Sequence, residues 1–449
     1  MLTEPFICRP LVFESEDDLI PRVTPMGLRS RPMPIGVPPK NEVVFLRSVT
    51  KAVAATAIAS SAALFVAACG SSGSSSSTPS ASPSSSVAVP QLSSTSFTLD
   101  FSAMTALKPL ASKGSGKVAV ILPDTVTSTR YVEFDAPYLQ KALLAAGLTT
   151  SQFTVQNAQG SDSTEYSQAQ AAITNGAKVL IMDPLDPGVG ARIESYATAH
   201  GVPVIDYDRI TLGGQRKYYV SFDNVVVGTL LGKGLVSCIS AWKVKKPHVV
   251  VMKGDPTDNN ATLFANGYLA VLNPLFSAGT YKDVANPAGT WTPTVALTEF
   301  QAAYTKNPDI NAGLMPNDAN AAPIIHYLQT RHVKAMTFPL TGQDASLAGL
   351  QNVISGYQCG TVYKPIYLEA QAAVALAMYL RAGVTPPAAL VNKSVQDTKT
   401  NTAVPSVLLT PEWVTPQLVQ STVIHDSFVK ASALCAGSFA ADCTKYGIQ

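Results

Sequence analysis

Val202-Pro203-Val204-Ile205-Asp206-Tyr207-Asp208-Arg209 begins as an apolar, β-branched run and stops on an acid beside a base. Such a run is the mark of a strand covered on both faces. An amphipathic stretch, residues 189–200, precedes it, and the same alternation repeats on either side. Strands are expected at 118–122, 179–182, 202–206, 249–252, 312–315, 338–341 and 360–363. Helices are expected at 138–146, 168–175, 189–200, 225–242, 261–272, 319–331, 347–355 and 367–381. Strand and helix in regular alternation imply parallel sheets with helices on both faces. The units are too many for one small doubly wound sheet. The fold class is therefore α/β, with two doubly wound parallel-sheet lobes.

Composition narrows the function. Lys and Arg number 32 against 30 Asp and Glu, a net charge of +2. That balance lacks the basic excess that holds a protein on nucleic-acid phosphates. Only 14% of residues are charged, against about 25% in ordinary soluble domains. With 32 Pro and 29 Gly in 449 residues, the chain is globular in the main and carries non-globular segments.

Those segments lie at the start. Residues 1–42 hold eight prolines and no periodicity, and are read as disordered. Arg47 and Lys51, the uncharged run 52–66 and the small residues before Cys69 follow as a positive, an apolar and a cleavage region, a signal over 43–69. The apolar run falls short of the roughly 20 residues that span a bilayer. Val66-Ala67-Ala68-Cys69 resembles a bacterial lipoprotein signal, which implies that Cys69 carries lipid and that the body sits on the outer face of the cell membrane. A start near Val43 or Val44 is expected, with 1–42 an extension upstream of it. Residues 70–114, rich in Ser and Gly, read as a flexible tether with a reach of roughly 35–40 Å.

In open α/β sheets ligands bind beyond the carboxyl ends of the strands. Here those ends carry Asp124 and Arg130-Tyr131, then Asp183, Asp208-Arg209, Asp255 and Asp258-Asn259-Asn260, Asn317-Asp318, Gln343-Asp344 and Lys364. Any one of them is ordinarily a helix cap or a solvated loop end. Seven successive strand ends so equipped describe a binding rim.

Val204-Ile205-Asp206-Tyr207-Asp208-Arg209, then Tyr219-Val220-Ser221-Phe222-Asp223-Asn224 with Gly228, resembles the sugar-binding proteins of ABC transporters with the ribose-type, two-lobed fold. Gly254-Asp255-Pro256-Thr257-Asp258-Asn259-Asn260-Ala261, Asn317-Asp318-Ala319, Thr341-Gly342-Gln343-Asp344-Ala345 and Thr361-Val362-Tyr363-Lys364-Pro365 look like the D-xylose-binding branch. The resemblance covers about 117–433. It implies one lobe from 115–222 plus 365–404, a second from 223–364 plus 405–434, and a C-terminal tail over 435–449. Crossings fall near Asp223, near Lys364 and at 405–410. It also implies a monosaccharide held by Arg130, Tyr131, Asp208, Arg209, Asn259, Asn260, Trp291, Asn317, Asp344 and Lys364. The implied partners are an ABC permease and its ATPase, with the protein a monomer and no cofactor.

The residue types suit that ligand independently. Each hydroxyl of a pyranose donates and accepts, so carboxylate, guanidinium and amide groups hold it from both sides. Its C–H faces rest on aromatic rings such as Tyr131 and Trp291. Rival chemistry fits the residues less well. Gly114-Ser115-Gly116-Lys117 has Ala111 where a phosphate loop needs Gly and Val118 where it needs Ser or Thr. The five histidines have no metal spacing, so no metal site is expected. Asp208 and Asp344 could be a glycosidase pair, but Arg209 and Lys364 beside them would depress the pKa a general acid requires. A receptor reporting a sugar or signal molecule to a sensor partner would use the same cleft.

With Cys8 in the extension and Cys69 lipidated, Cys238, Cys359, Cys435 and Cys443 remain, an even number in an oxidising compartment. Three pairings are open, as are free buried thiols. The short loop favours Cys435 with Cys443, leaving Cys238 with Cys359.

Overall fold

A computed structural model describes residues 89–449. The expected extension with Cys8, the signal with Cys69 and the first part of the tether lie outside the described residues.

The strands are β1 (Lys117–Leu122), β2 (Phe153–Asn157), β3 (Ala177–Met182), β4 (Val204–Tyr207), β5 (Tyr218–Phe222), β6 (His248–Val251), β7 (Lys282–Ala285), β8 (Ala312–Leu314), β9 (Thr361–Tyr363), β10 (Lys393–Asp397), β11 (Thr402–Leu409) and β12 (Glu412–Val414). The helices are α1 (Lys108–Lys113), α2 (Ala136–Ala145), α3 (Asp162–Thr174), α4 (Pro187–Ala199), α5 (Asn224–Ala241), α6 (Asn259–Ser277), α7 (Pro293–Lys306), α8 (Asp318–Thr330), α9 (Leu347–Ile354), α10 (Ile366–Arg381), α11 (Ala431–Leu434) and α12 (Ala440–Tyr446).

The first lobe is built on a seven-stranded sheet in the order β10-β11-β5-β4-β3-β1-β2. All neighbours pair in parallel except β10 with β11. Its inner strands are covered on both faces, so β1 and β4 are buried almost end to end. The second lobe has the parallel sheet β7-β6-β8. It continues through single bridges, Gly313 to Leu340 and Gln343 to Val362, toward the antiparallel pair β9-β12. The strand expected at 338–341 contributes only that one bridge at Leu340.

The chain passes between lobes after Phe222, after Tyr363 and between Leu409 and Glu412. The third passage lies beyond the expected division at 404/405. Strand β11 runs unbroken to Leu409, pairing Ser406 with Tyr219 and Leu409 with Phe222, because Val404, Val407 and Leu409 are buried on the first sheet.

One further expectation is corrected. The tether was drawn to 114, yet residues 89–113 pack on the first lobe. Leu92, Phe97, Phe101, Met104, Leu107 and Leu110 are buried in its core. Polar contacts lace the same segment to α10 and beyond: Tyr379 Oη donates to Pro90 O (2.6 Å), Gln371 Nε2 to Thr98 O (2.9 Å) and Arg381 Nη1 to Ala111 O (2.9 Å). Apolar residues spaced through a Ser/Thr-rich stretch give it enough buried surface to fold. Residues 435–449, the C-terminal tail, pack on the second lobe as well. Cys443 and Ile448 are buried in the cluster that holds Leu350, Val414 and Phe428. Disulfides join Cys435 to Cys443 and Cys238 to Cys359, with Cα atoms 5.7 and 6.0 Å apart.

Candidate ligand-binding cleft

Where the two lobes meet, a cavity partly open to solvent is lined by Thr127, Ser128, Arg130, Tyr131, Asp208, Arg209, Asp258, Asn260, Phe264, Trp291, Asn317, Gln343, Asp344 and Lys364. Nine of the ten residues expected from sequence are among them. Asn259 is not: it is buried in the first turn of α6 and does not reach the cavity. Thr127, Ser128, Asp258, Phe264 and Gln343 line it in addition to the expected set. Asp258 and Gln343 stand in the polar strand-end runs, and Phe264 lies four residues beyond Asn260, on the same face of α6.

The first lobe contributes a rigid charged wall. A widened helical turn over Tyr131–Asp135 follows Arg130 and brings Asp135 back onto it. Arg130 Nε and Nη2 donate to the two Asp135 carboxylate oxygens (2.9 and 2.8 Å), a bidentate pair. Nη1 donates to Asp208 Oδ1 (2.8 Å) and Nη2 also to Glu369 Oε2 on α10 (2.7 Å). Burial opposes the charge on Arg130. The facing carboxylates of Asp135, Asp208 and Glu369 outweigh it and hold the pKa well above the ordinary range.

Burial likewise works against an ionised Asp208, but Arg130, Lys364 and Arg209 prevail and lower its pKa. Burial keeps the Tyr131 hydroxyl protonated. It donates to Asp208 Oδ2 (3.2 Å) and accepts from Arg209 Nη2 (3.1 Å).

Asp208 takes a left-handed backbone, φ 58°, which costs energy for any residue but Gly. Its carbonyl is held by three donors, Tyr219 Oη (2.8 Å), Ser221 Oγ (2.9 Å) and Asn260 Nδ2 (2.8 Å). Its N–H donates to Val220 O (2.9 Å). These bonds fix the carboxylate toward the cleft.

The second lobe faces it with a mixed wall. Asp344 also has positive φ, 93°, and donates its N–H to Val362 O (2.9 Å). Its Oδ1 lies 3.1 Å from Lys364 Nζ without hydrogen-bond alignment. Gln343 Oε1 has no partner at all. Trp291 Nε1 donates to Asp258 Oδ2 (3.0 Å), and its ring meets Phe264 edge to face, centroids 6.4 Å apart. Gly254 admits that ring, since a Cβ there would come within 2.2 Å of it. Across the cleft Arg209 Nε lies 3.6 Å from Asp258 Oδ2, and Ser128 Oγ donates to Asp344 Oδ2 (3.4 Å).

Among the described residues no group of three or more His, Cys, Asp or Glu is placed to hold a metal ion. The cleft lining offers hydrogen bonds and aromatic faces. Three cations, Arg130, Arg209 and Lys364, are matched by three acids, Asp208, Asp258 and Asp344.

Two parallel-sheet lobes, three chain crossings and a polar cleft between them define a two-lobed solute-binding protein of the type I fold. The chain belongs to the periplasmic binding protein family, whose domain model matches residues 118–384. It is 36% identical to the D-xylose-binding periplasmic protein of Escherichia coli K12 over 283 residues, 62% of this chain and 82% of that one. It is 29% identical to a multiple sugar-binding periplasmic receptor of Rhizobium radiobacter over 345 residues, covering 73% of this chain and 94% of the other. Among solved structures, a carbohydrate transporter solute-binding protein from Chloroflexus aurantiacus in complex with D-glucose aligns with TM-score 0.63 and 27% identity, over 70% of this chain and 97% of that one.

Proposed function

We propose that this protein is an extracytoplasmic solute-binding lipoprotein that captures a monosaccharide, a xylose-like pentose or related aldose, and delivers it unchanged to an ABC import permease. The charge-balanced cleft carries this reading. Three cations against three acids suit a neutral ligand, the unpartnered acceptor Gln343 Oε1 calls for a donor such as a sugar hydroxyl, and Asp344 Oδ1, ion-paired with Lys364 but without an aligned hydrogen bond, can accept another. Trp291, Phe264 and Tyr131 supply faces for ring C–H groups. The D-xylose and multiple-sugar specificities in the names of its relatives support the same class.

A binding role is favoured over glycoside cleavage. Asp208 is held ionised by Arg130, Lys364 and Arg209 and has no proton to donate at neutral pH. The motif ending in Cys69 supports a lipid anchor on the outer face of the membrane, with the folded part a monomer. A calorimetric panel of pentoses and hexoses, with the bound sugar recovered and weighed by mass spectrometry, tests the assignment. Binding of one aldose with its mass unchanged is expected. Absence of binding across the panel, or chemical conversion at a catalytic rate, overturns it. Membrane fractionation of a Cys69→Ser variant tests the anchor: it should become soluble, and retention at the membrane after high-salt washing would refute it.

A further inference from the structure

Asn317, Asp344 and Lys364 reach the cleft from three separate segments of the second lobe. Asn317 caps α8, Asp344 lies on the loop before α9, and Lys364 follows β9. Behind all three is one carboxylate. Asp318, the first residue of α8, is 1% exposed and does not line the cavity. Its Oδ2 accepts from the Ser346 N–H (2.9 Å) and Ser346 Oγ (3.2 Å). Its Oδ1 accepts from Gln358 Nε2 (2.8 Å) and Thr361 Oγ1 (2.9 Å). Its own N–H donates to Gln343 O (3.0 Å).

A helix-terminal acid needs no such surroundings, since the exposed first turn of a helix already favours negative charge. This one is buried, and all four of its donors are uncharged. The loop is moulded to it from both sides: a Cβ at Gly342 would come within 2.1 Å of Oδ1, and one at Gly349 within 2.1 Å of Oδ2. Those glycines bracket Asp344, whose left-handed backbone has to be imposed by its surroundings. Thr361 extends the chain of contacts, because its Oγ1 also accepts the N–H of Ala345, the residue after Asp344 (3.2 Å).

We propose that Asp318 is the positioning residue of the sugar cleft: by bonding the Asp344 loop and β9 to the start of α8, it holds Asn317, Asp344 and Lys364 in one geometry without touching ligand. This rests on the sugar-binding reading of the cleft. Burial, with the Asp344 charge adding to it, pushes the Asp318 pKa up to about 7.

The test is Asp318→Asn, which keeps the shape and turns one acceptor into a donor facing other donors. A buried donor left facing another donor costs about 1–3 kcal/mol, so sugar affinity should fall about tenfold. Amide hydrogen exchange of 342–346 in the ligand-free protein should quicken while α2 in the first lobe keeps its protection. Thr361→Val, a milder change to the same contacts, should shift both readouts in the same direction and guards against a misfolded Asn variant. Wild-type affinity in both variants, or a lowered melting temperature with unaltered affinity, overturns the proposal. If Asp344→Ala loses binding while Asp318→Asn keeps it, the positioning role falls and the sugar reading stands. If the unaltered protein binds no sugar, the sugar reading falls, and unchanged exchange over 342–346 in the variants removes the positioning role as well.

Discussion

The ring of Phe134 lies flat on that of Phe428, centroids 3.7 Å apart and planes 11° from parallel. Phe134 belongs to the widened turn of the first lobe that carries Arg130 and Tyr131, and Phe428 lies beyond the third crossing, in the cluster of the second. Phe428 in turn meets Tyr363 edge to face at 5.0 Å, one residue before Lys364. The stack therefore joins the lobes outside the cleft and favours the arrangement in which they touch. An aromatic pair is worth about 0.5–1.5 kcal/mol beyond its buried area, or a factor of roughly 2 to 10 in the closed population. Phe134→Ala should enlarge the ligand-free radius of gyration in solution scattering and weaken sugar binding by a similar factor. Unaltered affinity and scattering would show the stack to be passive.

Asp208→Ala and Asp344→Ala should each abolish measurable sugar binding in calorimetry. Each leaves a buried cation short of a partner, Arg130 in the first case and Lys364 in the second. Truncating one member of such a pair costs roughly 2–5 kcal/mol. Retained affinity in either variant would move the binding site elsewhere.

Glu165 on α3 is wholly buried, with Oε2 accepting from the Leu185 N–H (3.1 Å) and Oε1 unpartnered. Burial, only partly offset by that N–H and by Arg209, raises its pKa from 4.5 to about 8. The folded state therefore binds this proton more tightly than the unfolded chain does. Below pH 4.5 both states hold it and there is no penalty. Between 4.5 and 8 the unfolded chain releases it first, so stability is lost at roughly 1.4 kcal/mol per pH unit. Glu165→Gln should have nearly the melting temperature of the parent at pH 5 and exceed it by several degrees at pH 8. Equal melting temperatures at both pH values would mean that the carboxyl is ionised and satisfied.

Removing residues 89–113 should yield aggregated or strongly destabilised protein, whereas starting the chain at Val89 should leave the melting temperature unchanged. The shorter version strips Phe101, Met104, Leu107 and Leu110 from the core and exposes what they cover. A soluble truncation at Gly114 with full thermal stability would show that the segment is dispensable.

What could be read in the residues follows from burial. Strands β1, β3, β4 and β6 are covered on both faces and stand out as apolar runs. Strand β2 is an edge strand with alternating exposure, and β10, Lys393-Ser394-Val395-Gln396-Asp397, is largely polar. Neither shows a continuous apolar signal. Helix α7 likewise buries only Ala296 and Phe300. The cleft was legible because its charged groups lie in the loops that follow the strands or, for Asp344, the single bridge at Leu340, where the fold leads ligands to bind. Phe264 looks like any core aromatic of a helix until its neighbour Trp291 is in place. The bond from Arg130 to Glu369 spans 239 residues, and nothing local announces it. The segment 89–113 was obscured by its Ser and Thr content, which hid six core-forming apolar residues in a stretch of linker-like composition.

That segment also decides how load is carried. Tension applied upstream of Val89 is delivered through Pro90, Thr98 and Ala111 into α10 and the seven-stranded sheet behind it. None of it passes through the crossings at Asp223, Lys364 or Leu409. A pull on the chain upstream of Val89 therefore bears directly on the first lobe alone.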